Sequence, residues 1–220
     1  REITEFDNWN PGGGSIGIDA LGNILISAYG YGNDVLKYEP SGMTYAYERN
    51  FFQPPGGYNL TAGDRLEQGG WGGMRTLSNG QLLVTDGRLM FWNNPFSASN
   101  GAAPDGYVGA SSDVDLTGGF SLLDVDANDK IYVQKDSTNI VIYQGPLTSA
   151  SVPIKTLSSP FDLLGGGTIA LYTILAGMVV TDNSEYLWIT DPGHHRAFRI
   201  RDPLGASPVV DIVLGLSLIH

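Results

Sequence analysis

The chain has 220 residues, of which 42% are hydrophobic and only 16% charged, so an intrinsically disordered chain is excluded and a sizeable core is within reach. The net charge of −11 makes a surface that repels phosphate backbones, and with no Lys/Arg cluster to override it nucleic acid is excluded as a partner. There are no cysteines, which removes disulfides, cysteine-ligated zinc and thiol catalysis together.

Thirty Gly and twelve Pro suit short strands joined by many turns. The longest apolar run, Thr168–Val180, is too short to span a bilayer. No signal peptide is visible, and a start at Arg1 rather than Met reads as a missing N-terminus. Absence of Cys is compatible with export, and an extracellular, cell-surface or periplasmic location is predicted.

In chain order, Arg1–Asp7 (REITEFD) reads as the third strand of a preceding unit, by comparison with Asp34–Glu39 (DVLKYE). A pattern of apolar strand, tight polar turn and second apolar strand then occurs at Gly14–Ala28, Gly73–Asp86, Gly119–Lys135 and Gly177–Asp191. The turn residues Gly22, Gly80, Asp129 and Glu185 follow one another at spacings of 58, 49 and 56 residues. Each second strand is a continuous β-favouring run, as in Ile24–Ile26, Leu82–Val84, Ile131–Val133 and Leu187–Ile189, which suits burial on both faces. Third strands are predicted at Val35–Tyr38, Leu89–Trp92, Ile140–Tyr143 and Ala197–Ile200, and fourth strands at Thr44–Arg49, Tyr107–Gly109, Val152–Leu157 and Val209–Leu214. The glycines Gly165–Gly167 break the apolar stretch before the fourth pattern, so it reads as loop and strand, not helix.

Units of about 50 residues with four strands fit the blades of an all-β β-propeller. The predicted blades are roughly 14–50, 73–110, 119–158 and 177–215, with 1–7 a remnant of a preceding blade. A closed ring usually has four to eight blades; the expected parent is six-bladed, with a small four- or five-bladed ring as the alternative. Leu216–His220 (LSLIH) breaks the pattern and reads either as an ordinary strand start or as a translated sequencing-adaptor tail on an environmental gene fragment.

Asp191-Pro-Gly-His-His-Arg196 followed by Ala197–Ile200 resembles the signature of the NHL-repeat propellers, in which a strand ends in Asp and a turn leads to Asn-His-Arg. His194 stands where that family has Asn, while His195 and Arg196 match its His and Arg. Leu89–Gly109 and Arg199–Gly215 resemble two further segments of bacterial NHL proteins. Blades one and three lack the His-Arg pair, and blade two keeps only the Arg, as Gly87-Arg88. The resemblance implies a propeller that serves mainly as a recognition platform and does not by itself fix a ligand; a protein or glycan ligand and a monomeric ring in the full-length protein are the expectations.

The candidate binding residues are Asp86, Arg88, Asp191, His194 and His195 on the loops between second and third strands, with the loop aromatics Tyr29 and Tyr31. Aromatics beside polar groups can stack on sugars or anchor a protein. A structural role weighs more for the Asp–His–Arg cluster: Arg196 can donate to turn carbonyls and Asp191 can accept turn N–H groups. No catalytic residues and no metal ligands are predicted, because His194, His195 and His220 are the only histidines and zinc needs three or four convergent ligands. Asp124–Asp129 begins like a calcium loop but has Asp129 at the sixth position and Lys135 at the twelfth, so it reads as a polar β-turn. Calcium held in the central channel is the one cofactor the sequence allows. Gly13–Gly17 fits G-x-S-x-G and Gly12–Gly17 fits G-x-G-x-x-G, but neither has the strand before and helix after that the chemistry needs. A binding and scaffold module is therefore predicted, with a metal-dependent propeller hydrolase or lyase as the alternative.

Overall fold

The computed structural model describes residues 73–85, 89–95, 104–108, 122–171 and 177–215 in full, together with the strand backbone within residues 2–51. It contains four sheets, each with four antiparallel strands in chain order, the first of which carries an additional parallel strand at its outer edge. The first contains β2 (Ile16–Ile18), β3 (Ile24–Ala28), β4 (Asp34–Ser41) and β5 (Thr44–Phe51). β1 (Glu2–Ile3), expected as part of a preceding blade, pairs in parallel with Thr44–Tyr45 along the outer edge of this sheet. The second contains β6 (Met74–Thr76), β7 (Leu82–Thr85), β8 (Leu89–Trp92) and β9 (Gly106–Val108). The third contains β10 (Leu123–Val125), β11 (Lys130–Gln134), β12 (Asn139–Gln144) and β13 (Lys155–Ser158).

A hairpin of β14 (Phe161–Asp162) and β15 (Thr168–Ile169) follows, turning through three successive positive-φ glycines, Gly165–Gly167. The fourth sheet contains β16 (Gly177–Val180), β17 (Tyr186–Asp191), β18 (Arg196–Arg201) and β19 (Val209–Gly215). The first strands of neighbouring sheets lie side by side in the order β2, β6, β10, β16, and outer strands of neighbouring sheets do not approach to a comparable extent. Sheets that touch at their first strands and splay outward are blades around one axis, and the fold is a β-propeller arc.

In blades two and three the apolar runs Leu82–Val84 and Ile131–Val133 are buried on both faces, as their lack of alternation requires, whereas in blade four Trp188 is only half-buried between buried Leu187 and Ile189. On β11, Ile131 and Val133 join Leu83, Leu89 and Phe91 of blade two in one core. Between them, Tyr132 points the other way and joins Met178, Leu187 and Phe198 of blade four in a second. The burial of successive residues on opposite faces is the period-2 pleat of a strand with a sheet on each side.

The junction of blades two and three is close-packed at its first strands. A Cβ on Gly73 would lie 2.7 Å from the Leu123 backbone nitrogen and closer still to its side chain. Gly73→Ala is expected to cost about 1–3 kcal/mol through overpacking, read as a lower urea midpoint with unchanged slope.

Candidate functional site

The loop between β17 and β18 is a short 3-10 turn, Pro192–His194, closed by His195 in the left-handed conformation (φ 52°) with its N–H donating to the Pro192 carbonyl. Pro at the first position supplies the fixed φ that starts such a turn. Asp191, the last residue of β17, is fully buried. Its Oδ2 accepts from Arg196 Nε at 2.9 Å and lies 2.8 Å from both the Arg196 terminal nitrogen and His194 Nδ1. Arg196 also donates to the Ala170 carbonyl, which ties the turn to the strand-connecting segment after β15. Asp191 Oδ1 is buried and meets no hydrogen-bond partner among the described residues.

The structure brings Asp191, His194 and Arg196 together, with a wiring that differs from the expected turn contacts: Arg196 donates to the Ala170 carbonyl outside the turn. Asp191 gathers the side chains of Arg196 and His194, where turn N–H groups were expected, because the left-handed His195 directs its own N–H at Pro192. The charged guanidinium is the better partner for a carboxylate that has lost its water. Asp191 therefore lies behind the turn, while Pro192, Gly193, His194 and His195 are exposed on it. The other predicted site residues, Tyr29, Tyr31, Asp86 and Arg88, lie outside the described residues, as does Leu216–His220.

At the opposite end of the blades, the first-to-second-strand turns interlock. Asp126 Oδ1 accepts from the backbone N–H of Asn128 and Lys130, a capped polar turn. Its second oxygen accepts from the Ser184 hydroxyl of blade four. Asp129 accepts from the Ser78 hydroxyl and, at 2.8 Å, from the Ser78 N–H of blade two. The acidic run read as a polar turn is thus also a fastener on both sides. Repeat position alone carries no signal for this, since the partners come from other blades.

Tyr132 lies beneath this junction with no exposed surface. Burial pushes its phenol up to about 12, and the nearby Ser184 hydroxyl, turned toward Asp126, offsets this only in part. The folded state holds that proton longer than an unfolded chain at 10.0. Stability from this group is complete below pH 10 and declines as pH rises toward 12. Tyr132→Phe is expected to leave the urea midpoint at pH 7 within about 1 kcal/mol of the parent, since no partner is orphaned. It should also flatten the fall in midpoint between pH 10 and 12.

Nearest the axis, Asp124 joins three blades. Its Oδ1 accepts from Arg75 Nε of blade two at 2.7 Å, and its Oδ2 from the Val180 N–H of blade four at 2.7 Å. On the outer rim, a cleft of about 290 Å³ opens between β13, the β14 hairpin and the turn before β19, lined by residues including Lys155, Phe161, Asp162 and Pro208. Among the described residues no group of three or more His, Asp or Glu is placed to hold a metal. No described helix is long and apolar enough to cross a membrane.

No protein-family model and no curated protein sequence matches the chain. Solved structures match it in fold. A protein from Lactobacillus plantarum is 9% identical with a TM-score of 0.57, over 94% of this chain and 57% of its own. A protein of unknown function from Bacteroides caccae is 12% identical with a TM-score of 0.55, over 90% of this chain and 66% of its own. The periplasmic gluconolactonase of Pseudomonas aeruginosa is 9% identical with a TM-score of 0.57, over 92% of this chain and 57% of its own. The chain thus spans between 57% and 66% of the length of these three proteins. At such identities the likeness is one of architecture, and the architecture is the β-propeller.

Proposed function

We propose that the chain is a recognition module of an exported NHL-type propeller, binding a protein or glycan through the face that carries the β17–β18 turn. The observation that carries this reading is the division of labour at that turn. The buried Asp191 carboxylate is committed to Arg196 and His194, and so rigidifies the loop, while two imidazoles and Pro192 are displayed to solvent. A fixed loop with exposed polar rings loses little entropy on binding, whereas a carboxylate with no exposed surface is poorly placed to take a proton from a substrate. The exported location draws support from the periplasmic protein among the structural neighbours.

The test is a glycan and cell-surface-protein array probed with the parent chain and with a His194→Ala, His195→Ala double variant. Selective retention of the parent, lost in a folded double variant, is the expected result. Hydrolysis of gluconolactone well above the uncatalysed rate, with or without added calcium, would overturn it. That outcome would favour the second reading, a propeller hydrolase or lyase, which the match to a gluconolactonase over 92% of this chain motivates.

A further inference from the structure

The outer strands of the blades are finished differently. In blade one, β5 carries β1 alongside it in parallel. In blade four, β19 is capped by the β14 hairpin: Leu163 bridges Val210 in parallel, and the Leu164 N–H donates to the Val210 carbonyl at 2.8 Å. In blade three, β13 is the last strand of its sheet and pairs with β12 alone. The chain leaves β13 to cap the edge of blade four and leaves the edge of blade three open.

The register identifies the unused groups. The Ser159 N–H donates to the Thr138 carbonyl, so Asn139 and Ser158 form a non-hydrogen-bonded pair, and Leu157 is the residue that exchanges bonds with Ile140. The N–H and C=O of Thr156 and Ser158 therefore point away from β12. No hydrogen bond from another described segment reaches them, and both residues are exposed. Edges of this kind are usually guarded by charge or proline. Thr156, Leu157 and Ser158 carry neither, and Lys155 turns aside to donate to the Gly205 carbonyl at 2.8 Å.

The rim cleft of about 290 Å³ opens at this same edge. Residues 160–162 and 206–208 form its other walls, and Leu157 and Phe161 are buried in its lining. The bond from Lys155 to Gly205 ties β13 to the far wall, so the cleft is set before anything binds. It is at the small end for a ligand pocket. It suits one anchoring side chain of a longer molecule whose main chain lies on β13.

We propose that β13 and this cleft bind an extended peptide of a partner protein, added in parallel as a fifth strand of blade three, with one apolar side chain in the cleft. Main-chain bonds to Thr156 and Ser158 supply affinity and the cleft supplies selectivity. The two edge additions the chain makes for itself are parallel, whereas two copies meeting edge to edge about a two-fold axis pair antiparallel. Asp162 in the lining and the net charge of −11 favour a neutral or basic peptide over a second copy of the chain. The site does not depend on the β17–β18 turn.

The probe is a library of fluorescein-labelled hexapeptides with one apolar residue at a varied position among Ser and Lys, titrated by anisotropy against the 220-residue chain. Binding is expected for a subset, with slower amide exchange at Thr156 and Ser158 in the complex and loss of binding when alternate peptide amides are N-methylated. Thr156→Pro removes an outward N–H and no bond to β12, so it should keep the parent urea midpoint and bind about tenfold more weakly. Thr156→Val and the His194→Ala, His195→Ala double variant should bind like the parent, which separates this site from the turn. Failure of the whole library to bind, or equal binding by folded Thr156→Pro, would overturn the proposal. So would protection of the Thr156 and Ser158 amides that grows with the concentration of the chain alone, which assigns the edge to a second copy. If Thr156→Pro does not fold, Ala206→Trp decides, because it fills the cleft from an exposed position: loss of binding supports the proposal and undiminished binding overturns it.

Discussion

Asp191→Ala should lower the unfolding free energy by about 3–5 kcal/mol, the usual cost of removing one partner of a buried ion pair. The carboxylate has no exposed surface, and its loss leaves Arg196, itself only 20% exposed, without its charged acceptor. The Arg196 bond to Ala170 would remain, but the turn would lose the group that binds it to β18. His194→Ala is the contrasting variant: its side chain is 46% exposed, so its removal should stay within about 0.5 kcal/mol. Urea denaturation of the three proteins checks both statements. A midpoint for Asp191→Ala equal to that of the parent would show that the cluster does not hold the turn. The two variants separate what stabilises the loop from what the loop presents.

Asp124→Ala is expected to cost about 2–4 kcal/mol, with a consequence for cooperativity as well as stability. The larger share comes from the Val180 N–H, which is left buried without an acceptor, at about 1–3 kcal/mol. The pair with Arg75 adds less, because that side chain is 34% exposed and water screens it. Asp124→Asn keeps an acceptor for Val180 and should recover most of the loss. Because the residue touches blades two and four at once, its removal should let the fourth blade open independently of the third. Hydrogen exchange checks this: faster exchange at Met178–Val180 in the Ala variant, with β7 and β8 unchanged, is the expected pattern. Uniform acceleration across all blades would mean that Asp124 contributes only to global stability.

Local chemistry was enough to read the repeat. Runs such as Leu82–Val84 and Ile131–Val133 are apolar on both pleats, and polar turns such as Ser78-Asn-Gly80 punctuate them, with Gly80 at φ 85°. Those are short-range properties, and the third strand of blade two was predicted to the residue at Leu89–Trp92. That Asp191, His194 and Arg196 share one turn was legible for the same reason, but their wiring was not: β17 and β18 pair Asp191 with Arg196 directly, and the carboxylate takes the guanidinium and not the turn N–H groups. The tertiary structure alone decided what each residue meets across a blade junction. Nothing in the Asp124–Asp129 run distinguishes a carboxylate that caps its own turn from one that takes the Val180 N–H, because the partners lie 56 residues apart or more from Asp124 and Asp126. Likewise Trp188 and Tyr132 hold equivalent strand positions and differ only in whether another blade lies over them. Strand pairing follows from adjacent segments and their pleat, whereas burial of a blade face depends on the sheet that the ring places beside it.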